Sequence, residues 1–150
     1  MTCQFPVLGQ LTAADVFRVL DMERRCHLFP WTEHMIRDSL EGEHLNLAGF
    51  LEDLLVGYAF MMSALDEMHL LSLTIDVPWQ GRGWGRYLLE AVMERARTLD
   101  CHSLFLEVRA GNARARNLYE RAGFQVVGVR RGYYPGMAGR EDALVMRAFT

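Results

Sequence analysis

Between Met68 and Arg109 the apolar period changes from two to about 3.6 residues and back to two, and that switch constrains this chain more than any other feature. Met68–Val77 reads as a strand. Trp84–Leu99 puts Leu88, Leu89, Val92, Met93, Ala96 and Leu99 on one helical face, and His102–Arg109 alternates as a strand again. A strand that returns through a helix lies parallel to the one before it, since a hairpin joins only antiparallel neighbours. The preceding segment behaves differently. His44–Leu51 and Leu54–Leu65 are strands, and Glu52-Asp53 and Asp66-Glu67 are connections short enough for hairpin turns. The sheet is therefore expected to be mostly antiparallel with one central parallel pair, and ligands favour the opening of such a pair.

The remaining segments cover this sheet. Thr12-Ala13-Ala14-Asp15 is a capping-box-like start for a helix carrying Val16, Phe17, Val19 and Leu20 to about Cys26. A second short helix begins at Thr32, after a break at Phe29-Pro30-Trp31. Asn112 caps a helix whose Ala115, Leu118, Tyr119 and Ala122 share a face, and Gly123 suits its end. Phe124–Arg131 and Ala143–Phe149 close the set as strands, with the Tyr-Tyr-Pro-Gly run at 133–136 expected as a loop between them. The fold class is α+β, a three-layer α/β/α arrangement around a mixed sheet. No repeat or linker divides the chain, so residues 1–150 are expected to form a single domain. The Met1–Phe5 start lacks the basic and apolar pattern of a secretory signal, and no apolar run is long enough to span a membrane, so a cytoplasmic location is expected.

Charge narrows the chemistry. All 16 basic residues are arginines, which excludes a Walker lysine, a Schiff-base lysine and every Ser-Lys mechanism. Residues 1–81 carry a balance of −8 and residues 82–150 one of +5. Unless folding mixes them, one surface suits an anionic ligand and another a cationic one. Among the acids, Asp15, Asp21, Glu23, Glu33 and Asp38 lie where they can attract a basic peptide or amine. A sequence pI near 5.9 and the missing lysine tract weigh against nucleic acid. Cys3, Cys26 and Cys101 form no C-x-x-C pair and read as reduced thiols. The five histidines lack ligand spacing, so no metal site is expected.

Gly81, Gly83 and Gly85 join the strand to the helix and permit positive φ and close backbone approach. The unpaired N–H groups of the following helix suit phosphate oxygens, and Arg82 and Arg86 add charge. By itself such a turn is as readily a plain tight turn. A Rossmann reading fails because the G-x-G-x-x-G spacing breaks at Arg86, and a pyrophosphate-bearing ligand remains. Glu107 lies in mid-strand with Phe105 and Arg109, opposite Leu104, Leu106 and Val108. A glutamate there is unfavourable unless it meets solvent, a partner or a task. Tyr119 lies on the next helix, and both residues can converge with the glycine turn where the parallel pair opens.

These motifs resemble a known family. Gln80-x-x-Gly83-x-Gly85 is similar to the coenzyme A signature of the GNAT superfamily of N-acetyltransferases. The run Leu106-Glu107-Val108-Arg109-Ala110-Gly111-Asn112, continuing through Ala115, Leu118, Tyr119, Glu120, Gly123 and Phe124, resembles the RimI-type branch. That branch acetylates the N-terminal alanine of a small-subunit ribosomal protein. Arg130–Pro135, Arg140–Ala143 and Phe29-Pro30-Trp31 continue the likeness over nearly the whole chain. Gly81 stands where the family often has a basic residue, and Trp84 where a smaller aliphatic is common.

The resemblance implies a GNAT fold and acetyl-CoA as the acetyl donor. It also implies direct attack by an amine in a ternary complex, Glu107 as general base and Tyr119 as acid. It assigns Leu73, Thr74 and Ile75 to the pantetheine arm, Gly81, Arg82, Gly83, Trp84, Gly85 and Arg86 to the pyrophosphate, and Asn112 to a coenzyme contact. Phe29, Pro30, Trp31, Tyr133 and Tyr134 become walls of a peptide slot. The implied partner is a protein N-terminus, with the enzyme a monomer or weak dimer. The rivals are the same fold acting on a lysine side chain, a polyamine or an antibiotic, and a non-catalytic coenzyme A sensor. Cys101 has nothing near it in sequence to lower its pKa and reads as core.

Overall fold

Seven strands align in one sheet in the computed structural model, which describes residues 4–150. In chain order the elements are β1 (Val7–Gly9), α1 (Val16–Cys26), α2 (Glu33–Glu41), β2 (Leu45–Leu51), β3 (Leu54–Ala64) and β4 (Glu67–Ile75). They continue with α3 (Trp84–Thr98), β5 (Ser103–Arg109), α4 (Ala113–Arg121), β6 (Gln125–Gly136) and β7 (Gly139–Phe149). The strand order is β1-β2-β3-β4-β5-β7-β6, and only β4 and β5 pair in parallel. The period switch had this consequence: α3 carries the chain from one to the other.

Alternation along β3 builds a core on each face. Tyr58 and Phe60 turn toward α1 and α2, where they meet Val19, Leu20, Met22 and Ile36. Ala59 and Met61 turn toward α3 and α4, among Leu88, Leu89, Val92, Leu106 and Tyr119. A strand buried on both faces reads as a continuous apolar run, which is how Leu54–Leu65 appears in sequence. The helices start as their caps dictate. Thr12 and Asp15 form a reciprocal capping box, although its first turn is 3-10 and α1 proper begins at Val16. Thr32 caps α2, and Asn112 Oδ1 accepts from Ala115 N to cap α4.

Two features depart from the sequence expectation. β1 is an additional edge strand, three residues long and paired antiparallel to β2, too short to show a period. The segment at 133–136 is not a loop. β6 runs on through Tyr133, Tyr134 and Pro135 to Gly136, with Tyr134 opposite Glu141 and Pro135 opposite Arg140. Pro135 is tolerated because β6 is an edge strand and one of its sides needs no N–H donor. The register shifts between Arg130 and Tyr134, where Gly132 adopts φ of 59° and donates its N–H to Asp142 Oδ1 at 2.8 Å. That bulge aims the two tyrosines. Cys26 and Cys101 are free thiols, and Cys3 lies outside the described residues.

Candidate active site

β4 and β5 pair from Glu67 and Ser103 only as far as Leu70 and Leu106. Beyond that point β4 continues to Ile75 and β5 to Arg109 without pairing to each other. The divergence begins beside a β-bulge: in the β3–β4 ladder Phe60 faces Ser72 and Met61 faces Leu70, so Leu71 is the extra residue. Bulges bend a strand and re-aim its side chains. The fork opens into a cleft of three connected sections of about 690, 710 and 950 Å3, each the size of a small-molecule site. Glu107 is the first β5 residue past the fork.

The first section lies between β4, the glycine turn and α4, and is lined by Leu73, Thr74 and Ile75 on one side and Ala115 and Leu118 on the other. Gly81 and Gly83 adopt φ of 78° and 84°, and Gly83 caps α3 without any side-chain hydrogen bond. The first N–H groups of α3 are therefore available. A Cβ on Gly83 would meet nothing within 4 Å, so its side-chain position is open groove. Gly85 is helical and lies against Leu118 and Ile75, which a Cβ there would meet at ordinary contact distances of 3.6 and 3.9 Å. Arg86, Arg114 and Arg121 border the section, and Arg114 is held by Gln80 Oε1 at 3.1 Å. Uncapped amides with arginines around them fit a pyrophosphate. Arg82 and Trp84 do not line the groove. Trp84 is buried and stacks on Trp79 at 5.0 Å, and Arg82 lies over the Trp79 ring at 4.9 Å. The large ring at 84 is thus accommodated inward, and that turn faces the cleft with backbone.

The middle section brings together Glu107, Tyr119, Asn112 and Tyr134. Glu107 retains 27% of its side-chain exposure and pairs at 3.1 Å with Arg130 rather than with Arg109. Tyr119 belongs to the core through its ring, which packs on Phe124. Among the described residues the one buried side-chain nitrogen or oxygen without a partner is Arg116 Nε. The Tyr119 hydroxyl is not among the sealed, unpartnered atoms, and the residue lines both the first and the middle section. Burial, and secondly the neighbouring Tyr134, pushes the Tyr119 phenol up to about 12. Tyr134 is likewise pushed up to about 12, first by burial and then by the Glu107 carboxylate beside it. Both phenols keep their protons at neutral pH.

The third section continues past Glu107 toward α2 and is lined by Trp31, Met35, Ser39, His69, Tyr133 and Tyr134. Phe29 borders the middle section, and Pro30 lines none of the three. In sequence Glu23 stands out only as an acid able to attract a basic acceptor, whereas here it is buried and forms part of a polar floor. Glu23, 2% exposed, accepts from Tyr58 OH and from Trp31 N at 2.9 Å, and His27 Nε2 lies 3.4 Å from it and 2.9 Å from Thr74 Oγ1. A buried glutamate on an otherwise apolar helix face was the available signal. Among the described residues no group of three or more His, Cys, Asp or Glu is placed to hold a metal ion, and no helix is long and apolar enough to cross a membrane.

The sequence profile of the Acetyltransferase (GNAT) family matches residues 16–124. The chain is 38% identical over 136 residues to the [Ribosomal protein bS18]-alanine N-acetyltransferase of Salmonella typhimurium, covering 91% of this chain and 92% of that one. The crystal structure of the ribosomal-protein-S18-alanine N-acetyltransferase from Escherichia coli superposes with a TM-score of 0.90 at 34% identity, covering 95% and 92% of the two chains. Arabidopsis thaliana NAA60 in complex with acetyl-CoA shares the fold, with a TM-score of 0.85 at 16% identity over 95% and 97%.

Proposed function

The chain belongs to the acetyltransferase (GNAT) family, and from that premise we propose that residues 1–150 act as one N-acetyltransferase domain for protein N-termini. The acetyl group comes from acetyl-CoA, and the acceptor is the α-amine of an N-terminal alanine on a small-subunit ribosomal protein, met in the cytoplasm. One observation carries this reading: β4 and β5 part past Leu70 and Leu106, with Glu107 at the fork and cleft on both sides of it. Two substrates entering from opposite ends meet there.

Acetyl-CoA supplies the acyl group as a thioester, electrophilic at its carbonyl. Gly81, Gly83, Arg86 and Arg114 hold its pyrophosphate, and the unpaired edge of β4 over Leu73–Ile75 receives the pantetheine arm as an added strand. The acceptor enters past Trp31, Tyr133 and Tyr134. Its α-ammonium has a pKa of about 7.7–8.0 and must lose a proton before it attacks. Glu107, at the fork, takes that proton directly or through water. Tyr119, protonated and lining the cleft, donates a hydrogen bond where negative charge develops on sulfur. A phenol near 12 is a weaker acid than a thiol at about 8.5. Tyr119 therefore stabilises the departing sulfur as it leaves, and does not hand over its proton beforehand. No acyl-enzyme is needed, and the buried Cys101 thiol, pushed up by burial, takes no part.

Free-thiol release from acetyl-CoA is measured with Ala-initiated peptides, with blocked peptides carrying only an internal lysine, and with small amines. Release with Ala-initiated peptides alone is expected. Release with lysine peptides or small amines alone refutes the acceptor, and binding without release in any arm refutes the enzyme.

A further inference from the structure

We infer that Arg109 is a positioning residue that fixes both walls of the acceptor slot at once. It ends β5, two residues past Glu107 and on the same strand face. Its side chain is 26% exposed, and its guanidinium carbon stands 4.8 Å from the Phe29 ring centroid and 4.4 Å from that of Tyr134. Nη1 donates to Pro135 O at 2.6 Å and lies 3.1 Å from Glu141 Oε1. The second oxygen of Glu141 accepts from Gly111 N at 3.1 Å. One cation therefore ties the α1–α2 connection, β6 and β7 to the end of β5. These are the segments that bound the cleft on either side of Glu107.

The chemistry of the group explains why it is arginine. A planar guanidinium stacks on aromatic faces and still directs N–H donors in its own plane toward a carbonyl and a carboxylate. An ammonium is a single point charge and cannot meet the rings and both oxygens together. Tyr134 gains most from the arrangement, because it stands beside both Glu107 and Tyr119. Without the cation, Phe29 and the β6–β7 hairpin lose their shared anchor, while the glycine turn, on the far side of the fork, keeps all its own contacts.

The test rests in part on the acceptor slot proposed above and is built to separate the two. Arg109→Met, Arg109→Lys and Phe29→Leu are compared with wild type by hydrogen–deuterium exchange and by steady-state kinetics on an Ala-initiated peptide. In Arg109→Met, exchange is expected to rise over residues 28–31 and 132–141 and to stay unchanged over 81–86. The peptide KM is expected to rise about 10-fold, from lost stacking and charge-assisted hydrogen bonds, with the acetyl-CoA KM within about twofold. Lysine is expected not to rescue either readout, and Phe29→Leu to loosen 28–31 more than 132–141. Unchanged exchange in both walls, a uniform rise that includes 81–86, rescue by lysine, or an unaltered peptide KM overturns the inference. If wild type does not turn over the peptide, the proposed acceptor fails, and the exchange pattern alone decides whether Arg109 fixes the walls.

Discussion

Replacing Glu23 by alanine is the sharpest probe of how the cleft floor is held. Glu23 is buried beneath the middle section and serves two donors: the Tyr58 hydroxyl, on a fully buried side chain that also has Thr74 within hydrogen-bond reach, and the Trp31 backbone N–H. Each orphaned buried group costs about 1–3 kcal/mol, and truncating a buried glutamate adds lost packing, so Glu23→Ala is expected to cost about 3–5 kcal/mol in all. For a chain of this length about 1 kcal/mol moves the melting temperature by about 2–4 °C, which gives a fall of about 6–20 °C. Circular dichroism melts check the number, and a second substitution checks the reason. Tyr58→Phe removes the orphaned hydroxyl, so the double variant should recover about 1 kcal/mol or more relative to the sum of the single ones. An Ala variant melting within about 3 °C of wild type, or strictly additive single effects, refutes the argument that the carboxyl group is there to satisfy these donors.

Further expectations follow from the site. Glu107→Gln should lower kcat about 100- to 10,000-fold and Tyr119→Phe about 100-fold or more. Calorimetry should show acetyl-CoA affinity within about twofold in both, and near-wild-type turnover in either removes that residue's role. Gly83→Ala forces a side chain into φ of 84°, costing about 1–2 kcal/mol of stability. Its Cβ also enters the open groove, so the acetyl-CoA KM should rise while the peptide KM does not. The folded phenols of Tyr119 and Tyr134 sit at about 12, above the ~10 of an unfolded tyrosine, so the unfolded chain loses these protons first as pH rises. The stability they contribute is complete below about pH 10 and disappears toward about 12. Melting temperature should hold until about pH 9.5 and then fall, less steeply in Tyr119→Phe; an identical slope in that variant contradicts the assignment.

Legibility in the sequence followed the range of the physics involved. The strand–helix–strand run was readable because each period reports one local backbone geometry, and parallel pairing then follows from connectivity alone. Glycines 81 and 83 were readable because a positive φ is a single-residue property. Glu107 was conspicuous as a charged residue in an alternating strand. By contrast, β1 is too short to display a period. The Tyr-Tyr-Pro-Gly run carries turn residues that an edge strand and a Gly132 bulge make compatible with pairing. The inward turn of Trp84 depended on Trp79 being within stacking reach.

Apart from β1 and the far half of β6, the sequence by itself determined which elements form, their order, the one parallel pair and the residue types present at its mouth. Those follow from local periodicity, caps and backbone freedom. Only the tertiary structure decided that Arg130 rather than Arg109 pairs with Glu107, that Arg109 instead anchors Phe29 and Tyr134, and that Glu23 holds Tyr58 and Trp31. Each of these joins residues distant in sequence. A side chain's choice among several nearby partners is set by strand divergence, by the bulges at Leu71 and Gly132, and by which groups lose access to water, and none of these is a property of a single segment.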